Sequence, residues 1–294
     1  MSLTIVFRFA LLVSVLSGVS AQAESAGEQR RSYGFFSLGY DYINYEESTN
    51  RQFGGKSVDI ETSTNLNFTQ QSGSYVAISP DWGFYLTSAS TLGNPGTDES
   101  WEIEGITVLT NKISFERQRI GIIASYRLYD TEHLLFGAQY DSNEFSRFGT
   151  TLTAAAASFG ITQNSISAGT ISEQTWDLNL VLGYESNTLF SQQKPGWQHL
   201  LQATIGLPLI TSLTNTEVNN GDSFTENFNG FLLRLNAVVG YQFDENVTVT
   251  FGTELGYSLR KAIDRDFIDI NGTTEFPENV LFYLYPNVGI YWSF

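Results

Sequence analysis

The chain ends in the stretch "YPNVGIYWSF" (residues 285–294), which alternates between apolar and polar side chains. Successive side chains of a strand point to opposite faces, so every second residue shares a face. The apolar face of this strand carries Val288, Ile290, Trp292 and Phe294. Chain ends are usually polar and poorly ordered. A terminal strand with a wholly apolar face therefore predicts that this face lies against an apolar environment.

The same alternation recurs upstream, for example in 172–186, 227–243 and 247–262. These segments have roughly 14 residues or more, whereas a strand of a globular protein has about five or six. Aromatic residues lie at the ends of their apolar faces, and Gly, Asn, Arg and Glu occur in the middle of the polar faces. Such strands are typical of a transmembrane barrel, with the apolar face toward lipid and the polar face toward the lumen. A soluble sandwich is the alternative, but its strands would be shorter.

Short and long connections alternate along the chain. Short ones are predicted at Ser72-Gly73, Asp130–Glu132, Asp244–Asn246 and 187–196, and the remaining connections are long and polar. This asymmetry predicts an all-β, antiparallel up-and-down barrel with periplasmic turns and external loops. About ten strands are predicted: 32–46, 58–70, 74–90, 113–129, 133–148, 172–186, 197–213, 227–243, 247–262 and 279–294.

Residues 101–110, "WEIEGITVLT", also alternate. They leave two arrangements open: an extra strand above the membrane, or a barrel of about twelve strands, since such barrels have even strand numbers.

The N-terminal residues 1–23, "MSLTIVFRFALLVSVLSGVSAQA", have the pattern of a secretory signal peptide. Arg8 precedes an apolar run, and Ala21-Gln22-Ala23 supplies the small-residue cleavage site. We therefore expect an exported chain whose residues 24–294 form the barrel domain.

The terminal strand resembles the C-terminal signal of Gram-negative outer-membrane β-barrel proteins, on the residues Val288, Ile290, Trp292 and Phe294. The resemblance implies location in the outer membrane, assembly by the barrel-assembly machinery, and outer-membrane lipid and lipopolysaccharide as partners. About ten strands is also the strand number of the omptin surface proteases, but their acidic pairs and histidine are not matched. The histidines, His133 and His199, follow predicted periplasmic turns, and neither has the Ser spacing of the outer-membrane phospholipases.

Composition excludes several function classes. The net charge is -16, which argues against nucleic acid as a partner because such proteins need a basic face. Cysteine is absent, which excludes disulfides, thiolate catalysis and an N-terminal lipid anchor on cysteine. His133 and His199 are interpreted as polar anchors at the membrane interface.

Charged side chains on the polar phase of the predicted strands are the candidate functional residues. We expect them to form ion pairs that close most of a narrow lumen, or a constriction that selects a small solute. The candidates are Arg117, Arg119, Arg234, Arg260, Asp81, Asp141, Asp177 and Glu254.

No cofactor is predicted. The segment "FIDINGTTEFPE" places Asp269, Asn271 and Glu278 with part of the spacing of a calcium loop, but Phe267 occupies its first ligand position. Solvated acidic loops are the expected alternative.

The sequence therefore predicts a barrel that is not an enzyme. Its lumen is largely closed and charged, and its acidic surface loops serve envelope structure or surface interaction. The first alternative is a porin-like channel for small solutes, and the second is a membrane-embedded hydrolase.

Overall fold

The computed structural model describes residues 31–53, 56–61, 65–162, 169–191, 195–216, 223–267, 272–276 and 278–294. The described part is almost entirely β-strand, with one 3₁₀ turn at Ala156–Phe159. None of its helical segments is long and apolar enough to cross a membrane. The strands are β1 (Tyr33–Phe53), β2 (Lys56–Glu61), β3 (Asn65–Ala77), β4 (Trp82–Gly93), β5 (Thr97–Ile103), β6 (Ile106–Arg127), β7 (Glu132–Leu152), β8 (Ile171–Asn187), β9 (Gly196–Asn215), β10 (Ser223–Glu226), β11 (Phe231–Gln242), β12 (Val247–Arg260), β13 (Ile263–Phe267), β14 (Gly272–Phe276) and β15 (Glu278–Ser293).

Ten of these strands form a closed antiparallel ring in the order β15-β12-β11-β9-β8-β7-β6-β4-β3-β1. The ring closes where β1 pairs with β15, from Tyr33 opposite Ser293 to Ser48 opposite Glu278. Closure removes the sheet edges, whose backbone groups would find no hydrogen-bond partners in lipid. The predicted up-and-down barrel of about ten strands is confirmed.

One end of the ring contains the start of β1, the end of β15 and the short connections, and it is called the turn end here. The backbone N–H of Phe294 donates to the carbonyl of Ser32 at 3.0 Å. The connections are 78–81, 128–131, 188–195 and 243–246. The opposite end is called the loop end.

The predicted turn at Ser72-Gly73 is wrong, because both residues lie inside β3 and pair with β1 and β4. The turn that joins β3 and β4 lies at 78–81 instead. Gly73 is needed for close approach: a Cβ there would lie 2.3 Å from the Leu86 carbonyl oxygen and 2.7 Å from the Phe35 ring. Glycine inside a strand often marks such a contact.

At the loop end, β2 and β5 take the place of β3 and β4 between β1 and β6. β2 pairs with β1 and with β5, and β5 pairs with β6. The alternating segment 101–110 is therefore part of the β5–β6 hairpin, which prolongs the ring past the ends of β3 and β4. The alternative of a twelve-stranded barrel is wrong for this reason.

The two faces of the ring differ in polarity as the periodicity predicts. Outward apolar side chains are exposed, such as Leu182 at 50%, Leu235 at 56% and Phe251 at 67%. The terminal strand follows the same rule, because Val288, Ile290, Trp292 and Phe294 are all at least 36% exposed on the outside. Many buried residues are polar, which reverses the arrangement of a soluble sandwich. The exposed apolar band is the surface that contacts lipid in a transmembrane barrel.

Candidate functional site

An ion pair spans the middle of the lumen from β6 to β12, which lie on opposite sides of the ring. Arg119 donates two hydrogen bonds to Glu254, with Nη1–Oε1 at 2.5 Å and Nη2–Oε2 at 2.9 Å. Both side chains are more than nine-tenths buried. A bidentate guanidinium–carboxylate pair is among the strongest polar contacts in proteins.

Glu254 also receives contacts from three further strands. The Tyr283 hydroxyl on β15 donates to Oε1 at 2.8 Å, and Gln71 on β3 donates to Oε2 at 3.1 Å. Arg234 on β11 places Nε 3.5 Å from Oε1 and donates from Nη1 to the side chain of Gln139 at 2.7 Å. The Glu254 carboxylate on β12 is thus in contact with side chains from four other strands of the ring.

A second pair lies beside the first. Arg117 contacts Asp41 at 2.9 Å, and both side chains are buried. The Arg117 guanidinium carbon also lies 3.7 Å from the centre of the Tyr283 ring, a cation–π contact. Tyr283 therefore joins the two ion pairs into one layer across the lumen.

Asp141 and Asp177 lie opposite each other on β7 and β8 in this part of the lumen. Asn179 donates to Asp141 at 2.9 Å, and Gln139 donates to the same carboxylate. The Thr211 hydroxyl donates to Asp177 at 2.6 Å. These acids are held by neutral donors instead of a direct ion pair.

At the turn end of the lumen, Leu189 and Phe190 of the β8–β9 connection point inward. Leu189 and Phe190 are almost fully buried among inward side chains of the ring. The Phe190 ring centre lies 5.6 Å from that of Tyr33, and the Tyr33 hydroxyl bonds to that of Tyr85 at 2.9 Å. Asn187 donates to both tyrosine hydroxyls. We call Leu189 and Phe190 the turn-end plug.

The two histidines occupy opposite faces of the barrel wall. His133 is buried in the lumen, with Nδ1 3.7 Å from Glu185, so its interpretation as an interfacial anchor is wrong. The strand phase explains this, since the inward positions of β7 are the odd-numbered ones. His199 lies on the outward face of β9, near the turn end, as its phase predicted.

The lumen is also filled toward the loop end. An apolar cluster of Ile43, Tyr45, Ile113, Phe115, Phe145, Leu281 and Tyr283 lies above the ion pairs. Beyond it, Arg147 contacts Glu99 at 3.0 Å and Arg260 contacts Glu173 at 3.2 Å, with all four side chains buried. The Glu99–Arg147 pair was not predicted, because Glu99 lies in a segment interpreted as a loop.

Two small cavities lie between these layers, among the residues that the structure describes. One of about 70 Å³ lies between the turn-end plug and the Arg119–Glu254 pair, and one of about 30 Å³ lies beside Asp141, Asp177 and Arg260. Both are far below the roughly 300–1,000 Å³ of a usual ligand pocket. Each of these two cavities has room for only a few waters.

Most predicted lumen residues lie inside the ring, with one correction. Asp81 lies in the exposed turn 78–81 and pairs with Arg127 at 3.1 Å, because β4 begins at Trp82. The proposed calcium ligands Asp269 and Asn271 lie outside the described residues, whereas Glu278 begins β15. Within the described part, no three metal-ligating side chains are grouped to hold a metal ion.

Comparison with solved structures places this fold among outer-membrane barrels. The outer-membrane protease OmpT from Escherichia coli matches with a TM-score of 0.59 at 11% identity, over 94% of this chain and 100% of that chain. The translocator domain of the autotransporter NalP from Neisseria meningitidis matches with a TM-score of 0.37 at 10% identity, over 99% and 95% of the two chains. No protein-family model and no curated protein sequence matches the chain. The chain therefore shares the fold of an outer-membrane β-barrel.

The prediction that the protein is not an enzyme is overturned by this comparison, because the barrel has the fold of a protease. At 11% identity the likeness concerns the fold alone. Any reaction must therefore be sought in the side chains of this chain.

Proposed function

We propose that the protein is an outer-membrane barrel whose lumen passes no solute and whose loop end interacts with the cell envelope. The observation that supports the closed lumen most directly is the Arg119–Glu254 pair, which crosses the full width of the ring. The turn-end plug and the apolar cluster close the lumen on either side of it. An opened channel would have to break a buried ion pair, at a cost of several kcal/mol per unpaired charge.

Liposome swelling tests the closed lumen. Vesicles containing the purified protein should swell in small sugars at the rate of protein-free vesicles. Swelling that rises with the amount of folded protein would contradict the proposal, and a porin-like channel would then be the better account.

The loop end supplies the surface for interaction. On the outer face of β6, the apolar residues Ile120 and Ile122 are followed toward the loop end by Glu116. Glu116 lies directly opposite Glu144 of β7, and both are exposed. Like charges at such a position repel, so a divalent cation between them would be stabilising. This supports a role in bridging to anionic lipopolysaccharide through bound cations.

Lipopolysaccharide binding in calcium and in EDTA tests this role. We expect binding to the wild type to be stronger in calcium, and the difference to be lost in a Glu116→Gln/Glu144→Gln variant. An Asp81→Asn variant is the control, since Asp81 lies at the turn end. Equal binding by all three proteins in calcium would contradict this role.

A further inference from the structure

Three polar side chains form a hydrogen-bonded group on the outer wall near the turn end. The Ser186 hydroxyl lies 3.3 Å from Nε2 of His199, and the Thr188 hydroxyl lies 3.3 Å from Nδ1 of the same ring. All three are half-buried, whereas their chain neighbours Glu185, Asn187 and Gln198 are buried in the lumen. The group therefore lies on the outside of the barrel.

The contacts of Thr188 are compatible with a proton on Nδ1 of His199. The Thr188 hydroxyl donates its hydrogen to the His199 carbonyl and accepts from the His199 backbone N–H at 2.8 Å. With its hydrogen on the carbonyl, the Thr188 oxygen accepts from the ring, and this arrangement goes with the tautomer that carries the proton on Nδ1. Nε2 is left with a free lone pair directed at the Ser186 hydroxyl. This is the tautomer that a general base needs to activate a serine.

An apolar groove of about 610 Å³ lies on the same outer wall, on the side of this group that faces the loop end. It is lined by outward side chains that include Leu182, Tyr184, Ala203, Ile205, Leu233 and Leu235. Ala203 makes the depression, because it lies between Leu201 and Ile205 on β9. Tyr184 and Ala203 pair at the edge of the groove, and Ser186 lies one pleat repeat nearer the turn end, roughly 7 Å along the strand.

The surroundings place this group where hydrocarbon meets water. Trp197, Tyr129 and Phe243 are 69%, 70% and 59% exposed at this end of the barrel. Exposed aromatic side chains at the rim of an apolar band mark the membrane interface. An acyl chain of a membrane lipid can lie in the groove, its ester group can reach Ser186, and water is available at the same level.

We propose that Ser186 and His199 form a serine-hydrolase site for the carboxylic acyl esters of membrane lipids. Ser186 Oγ attacks the ester carbonyl carbon while its proton passes to His199 Nε2. The bond between that carbon and the alcohol oxygen breaks, and His199 returns the proton to the leaving alkoxide. Water, deprotonated by His199, then attacks the acyl carbon; the bond from that carbon to Ser186 Oγ breaks, His199 returns the proton to Oγ, and the fatty acid is released. Ser186 and His199 are the catalytic residues, and Thr188 is a positioning residue.

The site does not depend on whether the lumen is closed. The alternative role for these three side chains is a polar anchor at the membrane interface. An anchor would have the same hydrogen bonds, but its serine would not be reactive. A serine-directed fluorophosphonate separates the two, because an activated serine displaces fluoride from phosphorus and keeps the phosphonyl group.

Folded protein in mixed micelles of phosphatidylcholine and detergent is the material for the test. We expect one phosphonyl adduct, located on Ser186 by mass spectrometry, and a steady release of fatty acid. Both should disappear in Ser186→Ala and fall by about 10²-fold or more in His199→Asn, the usual contribution of a positioned base. Ser79→Ala and His133→Asn are controls, because Ser79 has no histidine beside it and His133 faces the lumen.

Thr188 is tested by restoring its hydroxyl. Thr188→Val should lose most of the fatty-acid release, whereas Thr188→Ser should retain it. A gel shift between heated and unheated samples verifies that each variant is folded. The proposal is overturned if folded wild-type protein forms no adduct, or if Ser186→Ala releases fatty acid at the wild-type rate.

Discussion

Arg119 and Glu254 face each other across the full width of the barrel and share two hydrogen bonds. The two residues are far apart in sequence and belong to strands on opposite sides of the ring. We call this pair the strut, because it joins opposite walls of the ring across the lumen. The cost of separating two buried charges makes this the feature on which the closed lumen most depends.

Removing one partner of the strut should destabilise the barrel. Arg119→Ala leaves the Glu254 carboxylate buried with one cation contact, that of Arg234, and breaking a buried pair costs about 3–5 kcal/mol. The measurement is urea unfolding in detergent. Arg127→Ala is the matched control, because the Arg127–Asp81 pair is exposed and exposed pairs contribute about 0–1 kcal/mol. Equal losses of unfolding free energy in the two variants would show that the buried pair stabilises the barrel no more than the exposed pair does.

Replacing both partners should cost less than replacing one. An Arg119→Met/Glu254→Leu variant leaves neither charge of the strut unpaired, and buried ion pairs exchanged for apolar groups are often neutral in stability. We expect its midpoint of urea unfolding to lie closer to that of the wild type than the midpoint of Arg119→Ala does. Additive losses in a double-mutant cycle would contradict the direct coupling of the two side chains.

The turn-end plug should be separable from the barrel wall. Leu189→Asp/Phe190→Asp places two charges among tyrosine and aliphatic side chains, so the connection should leave the lumen. We expect the tyrosines packed against the plug to become accessible to a small water-soluble quencher of fluorescence. These are Tyr33, Tyr75, Tyr85 and Tyr291. Phe243→Asp, at an exposed position of the same end, is the control and should leave quenching unchanged. Unchanged quenching in the plug variant would count against inward closure by this connection.

The terminal Phe294 should matter for assembly more than for stability. Its side chain is exposed on the outside, so its deletion removes little packing. If the assembly machinery recognises this strand, deletion lowers the amount of folded protein in the outer membrane of cells, while refolding into detergent proceeds normally. Normal levels in cells would remove Phe294 from the signal.

The fold was predictable because a single rule, alternation toward lipid and lumen, acts on every spanning strand. This rule predicted that the side chains of Arg119, Arg234 and Glu254 point into the lumen. The rule fails where the two-residue alternation ends, and where a glycine is compatible both with a turn and with a close contact inside a strand. Ser72-Gly73 has the composition of a turn, yet Gly73 lies in a strand because the Phe35 ring takes the place of a side chain.

Features built from loops left no periodic signal. Leu189 and Phe190 lie in a connection, where side chains do not follow the alternation of a strand. The Ser186–His199 contact joins two strands through their register, which is fixed by the connection between them. A search for His and Ser at a fixed spacing in sequence could not find it.

Single-channel recording in planar lipid bilayers is the most direct test of the proposed closed lumen. Folded wild-type protein should produce no reproducible conductance steps, whereas a variant that combines Arg119→Ala, Glu254→Ala and the two plug substitutions should produce them. Reproducible steps from the wild type, of equal size in the variant, would contradict a closed lumen.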